Sequence, residues 1–187
     1  MSNKEFDLQG VNHLALVCKD MARTVDFYTS TLGMPLIKTI ELPNGMGQHF
    51  FFDLGNGDSL AFFWFPNAPD AAPGIASATP GMLPGPSAHG SMNHVAINVP
   101  ADKIDAYYEK LVAKGIQASR VISHDDSPMQ ASLEITPTTF VRSIYFFDPD
   151  GIALEFAAWT RPLGTPADVA VRPAKAIEKT RELESAK

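Results

Sequence analysis

His13, His94 and Glu155 are the side chains of this chain whose types and placement could hold a metal ion. His13 stands in "VNHLALV" and His94 in "MNHVAIN", each directly after an asparagine and each in an alternating apolar run. Glu155 sits inside a further apolar run, "IALEFAAW". Successive strand residues point to opposite faces. Glu155 therefore shares a face with Ala153, Ala157 and Trp159, His13 with Ala15 and Val17, and His94 with Ala96 and Asn98. An unpaired buried carboxylate is costly, so Glu155 calls for a cation. Close in sequence, only Arg142 and Arg161 offer one. A metal is the alternative: two neutral imidazoles and one carboxylate form a facial set with open positions, suited to Fe(II) and tolerated by Mn, Zn, Ni or Co. A single histidine on a strand is commonly a hydrogen-bonded core residue. The recurrence of Asn-His in register, together with a strand-borne glutamate, is what points to metal.

Two copies of one unit carry these residues. "VNHLALVCKDMARTVDFYTSTLGMPL" and "MNHVAINVPADKIDAYYEKLVAKGIQA" each read as a strand, a helix and a glycine exit. Asp20 is placed to cap the first helix, whose apolar stripe is Val25, Phe27, Tyr28 and Leu32, and Gly33 ends it; Asp102 and Gly115 bracket the second. Strand patterns follow: "PLIKTIEL", "QHFFFDL" and "SLAFFWF" in the first copy, and "IQASRVI", "ASLEITP" or a neighbour of it, "VRSIYFF" and "IALEFAAW" in the second. The closing segments "FFDLGNGDSLAFFW" and "FFDPDGIALEFAAW" match. Each copy reads βαβββ, which divides the chain into a first module over 1–65, a Pro/Gly/Ala-rich linker over 66–90, a second module over 91–161 and a charged tail over 162–187. The linker reads as a tether, with an active-site lid as its other reading.

The composition bounds the partner. With 187 residues and 45% hydrophobic content, the chain can build one core or two small modules sharing one. A net charge of -6 argues against nucleic acid or an anionic membrane and leaves a small molecule. Cys18 is the single cysteine, so no internal disulfide forms, and the Met-Ser-Asn-Lys start lacks the regions of a signal peptide; a cytoplasmic protein is expected. No apolar stretch approaches the roughly 18 to 20 residues of a membrane-spanning helix.

Over residues 10–160 the pattern resembles the vicinal oxygen chelate superfamily of glyoxalases, extradiol dioxygenases, fosfomycin-resistance enzymes, epimerases and bleomycin-binding proteins. The resemblance implies an α+β fold in which two βαβββ modules form an open, barrel-like mixed-sheet cleft. It implies metal ligands on the first and last strands of the modules, carried here by His13, His94 and Glu155. The matching last-strand position of the first module falls at Leu60, Ala61 or Phe62, none of which binds metal, so the chain is similar to three-ligand members rather than four-ligand glyoxalases.

Ile144, Tyr145, Asp148, Pro149, Gly151 and Glu155 also resemble the extradiol dioxygenase signature, although "DPDG" is equally a good hairpin turn. The signature histidine is replaced by Thr136 or Thr138, and a second histidine of catechol-cleaving relatives gives way to Asp58 or Ser59. The resemblance implies Tyr145 as a residue contacting substrate. His124 of "SHDDSPMQ" and His49 of "GQHFFFDL" are the candidate bases; His124 has Asp125 and Asp126 beside it to orient its ring, and His49 reads better as a solvent-exposed or hairpin-facing residue. Phe50, Phe52, Phe62, Trp64 and Trp159 are candidate apolar walls. The expected function is Fe(II)-dependent extradiol cleavage of a vicinal-diol aromatic or related oxygen-chelating small molecule with dioxygen, by a homodimer. The alternatives are a metal-dependent isomerase, epimerase or lyase, and a non-enzymatic protein that sequesters a small molecule.

Overall fold

The computed structural model describes residues 5, 8–79 and 85–175. Residues 1–4, 6 and 7 of the first module, residues 80–84 of the expected linker and residues 176–187 of the expected tail lie outside the described residues.

Two four-stranded mixed sheets form, one from each repeat, and neither closes into a barrel. The first contains β1 (His13–Cys18), β2 (Leu36–Glu41), β3 (Gln48–Gly55) and β4 (Asp58–Trp64) in the order β1-β4-β3-β2. The second contains β5 (Val95–Asn98), β6 (Ile122–His124), β7 (Val141–Phe147) and β8 (Ala153–Trp159) in the order β5-β8-β7-β6. The first strand of each repeat runs parallel to the last, and the other pairings are antiparallel.

Helices α1 (Met21–Asp26) and α2 (Ile104–Ala113) cover one face of these sheets. The Asp20 carboxylate caps α1 by accepting from the Arg23 N–H at 3.1 Å. The helix then widens into a π-helical turn over Phe27–Thr31. There the Thr29 hydroxyl donates to the Val25 carbonyl at 2.7 Å, competing for the acceptor the helical ladder would use. The wider turn seats Phe27 and Tyr28 in the core. The start expected for α2 at Asp102 is displaced: a turn closed by the Lys103 N–H on the Pro100 carbonyl delays the helix to Ile104, and no side chain caps it.

Strand parity decides what is buried. Leu60, Phe52 and Phe62 from the first sheet and Ile144, Phe146 and Leu154 from the second are fully buried and join one hydrophobic cluster with Tyr28, Ile104 and Leu111. The two helix-facing sides thus share a core. Lys114 Nζ donates to the carbonyls of Ser30 and Thr31 at 2.9 and 2.7 Å, and the Tyr28 hydroxyl donates to Asp148 at 3.2 Å. Both links join one repeat to the other.

The hairpins follow their turn chemistry. Asn56 and Gly57 both have positive φ, as a two-residue turn between right-twisted strands requires. In "DPDG", one Asp148 oxygen accepts from the N–H groups of Asp150 and Ile152 at 2.9 and 2.8 Å. Asp148 is therefore a turn anchor. Two strand expectations fail in the second repeat. Of "IQASRVI" only Ile122 is in a strand, and "ASLEITP" makes a single bridge at Ser132 to Ser123. Buried Asp125 draws that segment into turns by accepting from the Ser127 N–H and the Thr136 hydroxyl at 3.0 Å each. Among the described residues no helix is long and apolar enough to cross a membrane.

Candidate metal centre

The faces turned away from the helices carry the chemistry. On the first sheet His13, Ala15 and Val17 pair with Ser59, Ala61 and Phe63, and Phe51 and His49 lie across from Ala61 and Phe63. On the second sheet Ala96 pairs with Glu155, Asn98 with Ala157, Tyr145 with Glu155 and Ser143 with Ala157. Registering the repeats makes Ala61 the counterpart of Glu155, Phe51 of Tyr145 and His49 of Ser143. The position left open between Leu60, Ala61 and Phe62 is thus Ala61, whose methyl offers no ligand.

Glu155 is 5% exposed, and its partner is His94: Nε2 lies 2.8 Å from Oε2. The Ser143 hydroxyl donates to the other oxygen at 2.5 Å. Burial pushes the Glu155 carboxyl up, but the hydrogen bonds from His94 and Ser143, with the nearby charges of His94 and His124, outweigh it and hold the group below its ordinary value. The arginines expected as rivals are engaged elsewhere. Arg142 forms a fork on Asp105 at 2.7 and 2.9 Å, and Arg161 pairs with Asp168 at 2.7 Å and Asp126 at 3.4 Å.

Each histidine next to an asparagine is held by it. His13 Nδ1 lies 2.7 Å from Asn12 Oδ1, and His94 Nδ1 lies 2.8 Å from Asn93 Oδ1. Each ring turns Nδ1 to its asparagine oxygen, the kind of support metal-ligating histidines have, and His94 directs Nε2 at the Glu155 carboxylate. His94 and Glu155 come together, whereas His13 stays on the first sheet, edge to face with Phe51 at 5.6 Å. Among the described residues no group of three or more His, Cys, Asp or Glu side chains converges within one chain. The shared core lies on the helix sides of the sheets, so the two histidine-bearing faces do not meet.

His124 and Tyr145 do meet. Both were read from the sequence as loop or strand candidates; they sit on β6 and β7, with His124 Nε2 3.1 Å from the Tyr145 hydroxyl. His124 Nδ1 faces the Gln130 carbonyl at 3.3 Å. A carbonyl can only accept, so Nδ1 carries the hydrogen and Nε2 receives the phenol O–H. Burial and then the Glu155 charge push Tyr145 up to about 12, which keeps it a phenol. The Tyr145 ring meets that of His94 edge to face at 5.9 Å.

His49 is not hairpin-facing: it lies within β3 on the His13 face, stacked on Phe63 at 3.6 Å, with Nε2 buried and unpartnered. Burial, then the charge of His13, lowers its pKa. The expected apolar walls also need correction. Phe52 and Phe62 are buried core, and Phe50 and Trp64 pack against it, because all four share the parity of Leu60. Trp159 does lie on an open face, that of Glu155, and Phe51 and Phe63 take the place of the other four. Asn12, Asn93 and Ser143 were missed as site residues; the asparagine repeated before each histidine was the available signal.

Residues 10–156 match the family model of the Glyoxalase/Bleomycin resistance protein/Dioxygenase superfamily. The chain is 24% identical over 148 residues to the uncharacterized protein YwkD of Bacillus subtilis (strain 168), covering 79% of this chain and 95% of that one. Among solved structures, SMU.1112c is similar with a TM-score of 0.57 and 25% identity, covering 81% of this chain and 99% of that one. The fosfomycin resistance protein FosX of Listeria monocytogenes, solved with Mn(II) and sulfate, is similar with a TM-score of 0.50 and 21% identity, covering 82% of this chain and 94% of FosX.

Proposed function

Because the chain belongs to the glyoxalase/bleomycin resistance protein/dioxygenase superfamily, we propose that it is a divalent-metal-dependent enzyme acting on a small molecule that presents two adjacent oxygen atoms. The ligands in this reading are His94 and Glu155 of one subunit and His13 of the partner subunit, in a homodimer. The observation that carries it is the 2.8 Å approach of His94 Nε2 to Glu155 Oε2 on an open sheet face, with Nδ1 already committed to Asn93. Two imidazoles and a carboxylate suit a divalent ion with open positions. Assembly across subunits follows from the separation of His13 and from the apolar surface the open faces leave exposed, including Val17 and Trp159. The Mn(II) complex of FosX supports an ion of this class.

A bound divalent ion would polarise the chelated oxygens, and Fe(II) would add the redox capacity that dioxygen chemistry needs. Tyr145 and His124 form the proton-handling pair. His124 Nε2 can receive the phenol hydrogen while its Nδ1–H is held by Gln130, so the pair takes and returns a proton without rearranging.

Extradiol ring cleavage is the reaction we assign to this set. Its signature histidine is replaced by Thr136 or Thr138, of which Thr136 donates to Asp125, and His124 supplies an imidazole to Tyr145 from β6 instead. The second reading is proton transfer on an enediol by an isomerase, epimerase or lyase. It is favoured by the single acid-base pair, because ring-cleaving relatives use more histidines than this one. The test is anaerobic purification, metal analysis and reloading with Fe(II), followed by catechols under oxygen. Oxygen uptake with ring opening supports the assignment. Metal binding without oxygen uptake, together with solvent deuterium entering an α-hydroxy ketone, supports the second reading. A protein that binds no divalent ion overturns both in favour of sequestration.

A further inference from the structure

We infer that the helix side of the second sheet carries a second small-molecule site. It is a cavity of about 420 Å³ between α2 and the exit of the first helix, and its ligand is an amphipathic carboxylic acid with its apolar body on Ile97 and Phe156 and its anionic end between Lys110 and Lys114. The site stands apart from the candidate metal centre. Phe156 and Glu155 are neighbours on β8 and so face opposite sides of the sheet.

Strand parity and the end of the first helix create the cavity. Ile97, Phe156 and Ile144 form one row across β5, β8 and β7 on the helix side. Ile144 is fully buried, whereas Ile97 and Phe156 are only partly buried although both pack on the core. The first repeat leaves them short of cover: the π-helical turn stops at Thr31, Gly33 takes a φ of +75°, and the chain departs towards β2. Leu32 and Met34 then stand as one wall, Tyr107 and Leu111 of α2 as the other, with Ile97 and Phe156 as the floor. A cavity of this size with mostly apolar walls suits a small organic molecule.

The mouth supplies the charge. Lys110 and Lys114 are four residues apart, about one helical turn, and both border the cavity. Lys114 Nζ is engaged with the Ser30 and Thr31 carbonyls, which are neutral acceptors, and Lys110 Nζ lies 5.4 Å from the centre of the Tyr107 ring. Among the described residues neither ammonium has an acidic partner, and no acid lines the cavity. Like charges at this spacing repel, and an anion placed between them relieves the repulsion. A carboxylate accepts a charge-assisted hydrogen bond from an ammonium and can carry an alkyl body. A cationic ligand would be repelled at the mouth, and a wholly polar anion would leave the floor uncovered.

Decanoate, kept below its micelle-forming concentration, is the probe; decanol and decylamine are its neutral and cationic counterparts. Calorimetric titration into the full-length protein gives stoichiometry and affinity, and carbon-13 NMR of the methionine methyl groups reads occupancy at Met34. One decanoate per chain is expected, with the Met34 signal shifted and affinity about 10- to 100-fold above that of decanol, which is what a hydrogen bond to a charged group contributes. Lys110→Glu changes an exposed side chain that makes no hydrogen bond among the described residues, and it should weaken decanoate by at least that factor while leaving decanol unchanged. Met34→Trp, which fills the cavity, should weaken both. No binding, equal affinity for the three probes, an unmoved Met34 signal, or unchanged decanoate binding in Lys110→Glu each overturns the inference. A dimer that excludes decanoate and that Lys110→Glu dissociates also overturns it, since the occupant is then a second copy of the chain. If Met34→Trp does not fold, Lys110→Glu and the Met34 signal decide.

Discussion

Replacing Glu155 by glutamine separates a ligand from a structural charge. The carboxylate is 5% exposed and has two contacts, from His94 at 2.8 Å and from Ser143 at 2.5 Å. Glutamine can reproduce both in neutral form: its oxygen accepts from Ser143, and its amide donates to Nε2 of a neutral His94. What is lost is charge assistance, about 1 kcal/mol for each of two bonds relative to neutral ones. Against that stands the desolvation of a buried anion, which the substitution relieves. The two nearly cancel, so the metal-free protein should change stability by less than about 1 kcal/mol, which for a chain of this size is a melting shift within about 2 to 4 °C. Metal affinity should fall by more than about 100-fold, beyond the 10- to 100-fold that loss of a supporting residue costs. Calorimetric titration with Mn(II) and scanning calorimetry of the metal-free proteins measure the two effects. Unchanged Mn(II) affinity, or a large loss of metal-free stability, would refute the ligand role.

Tyr145→Phe removes the phenol while leaving the ring, so it should lower kcat by about 10²- to 10⁴-fold with Mn(II) or Fe(II) content unchanged, as steady-state kinetics and metal analysis would reveal. Asp148→Asn should stabilise the protein at alkaline pH: burial pushes this carboxyl from 3.8 to about 6 despite the Ile152 and Asp150 N–H groups, so the native state gains stability as pH falls from about 6 towards 4 and carries the penalty above 6. The rise corresponds to at most about 3 kcal/mol, and asparagine keeps the turn acceptor, so a gain of about 1 to 2 kcal/mol at pH 8 that vanishes near pH 4 is expected in denaturant titrations. Phe62→Ala should cost about 3 to 5 kcal/mol because the ring is fully buried against Tyr28 and Phe52.

Much of this arrangement is legible from periodicity. The two Asn-His runs, the matched closing hairpins and the glycine exits carry the repeat, and strand parity puts His94 and Glu155 on one face. The same parity places Phe52 and Phe62, which alternate with Phe51 and Ala61, in the core and not on the cleft walls expected for them. The helix-facing sides of both sheets condense into a shared core through Tyr28, Asp148 and Lys114, contacts between residues far apart in sequence that no local pattern encodes. That is why the separation of His13 from His94 and Glu155 could not be read from spacing. The linker looked like a tether because its composition is Pro-, Ala- and Gly-rich, but its carbonyl at Gly85 and its hydroxyl at Ser77 engage Asn93 through single atoms, which leave no compositional trace. His124 reached Tyr145 for a similar reason, as buried Asp125 rather than any strand pattern shapes the segment after β6.

Subunit complementation tests the site most directly. A His13→Ala protein and a Glu155→Gln protein, each unable to hold the ion as a homodimer, are mixed, unfolded and refolded together, and bound Mn(II) is counted. If the ion sits between His94 and Glu155 of one subunit and the partner's His13, every mixed dimer regains one intact site. Random pairing then restores about one site in four in a two-fold dimer. No bound Mn(II) in refolded mixed dimers would contradict a site built across subunits.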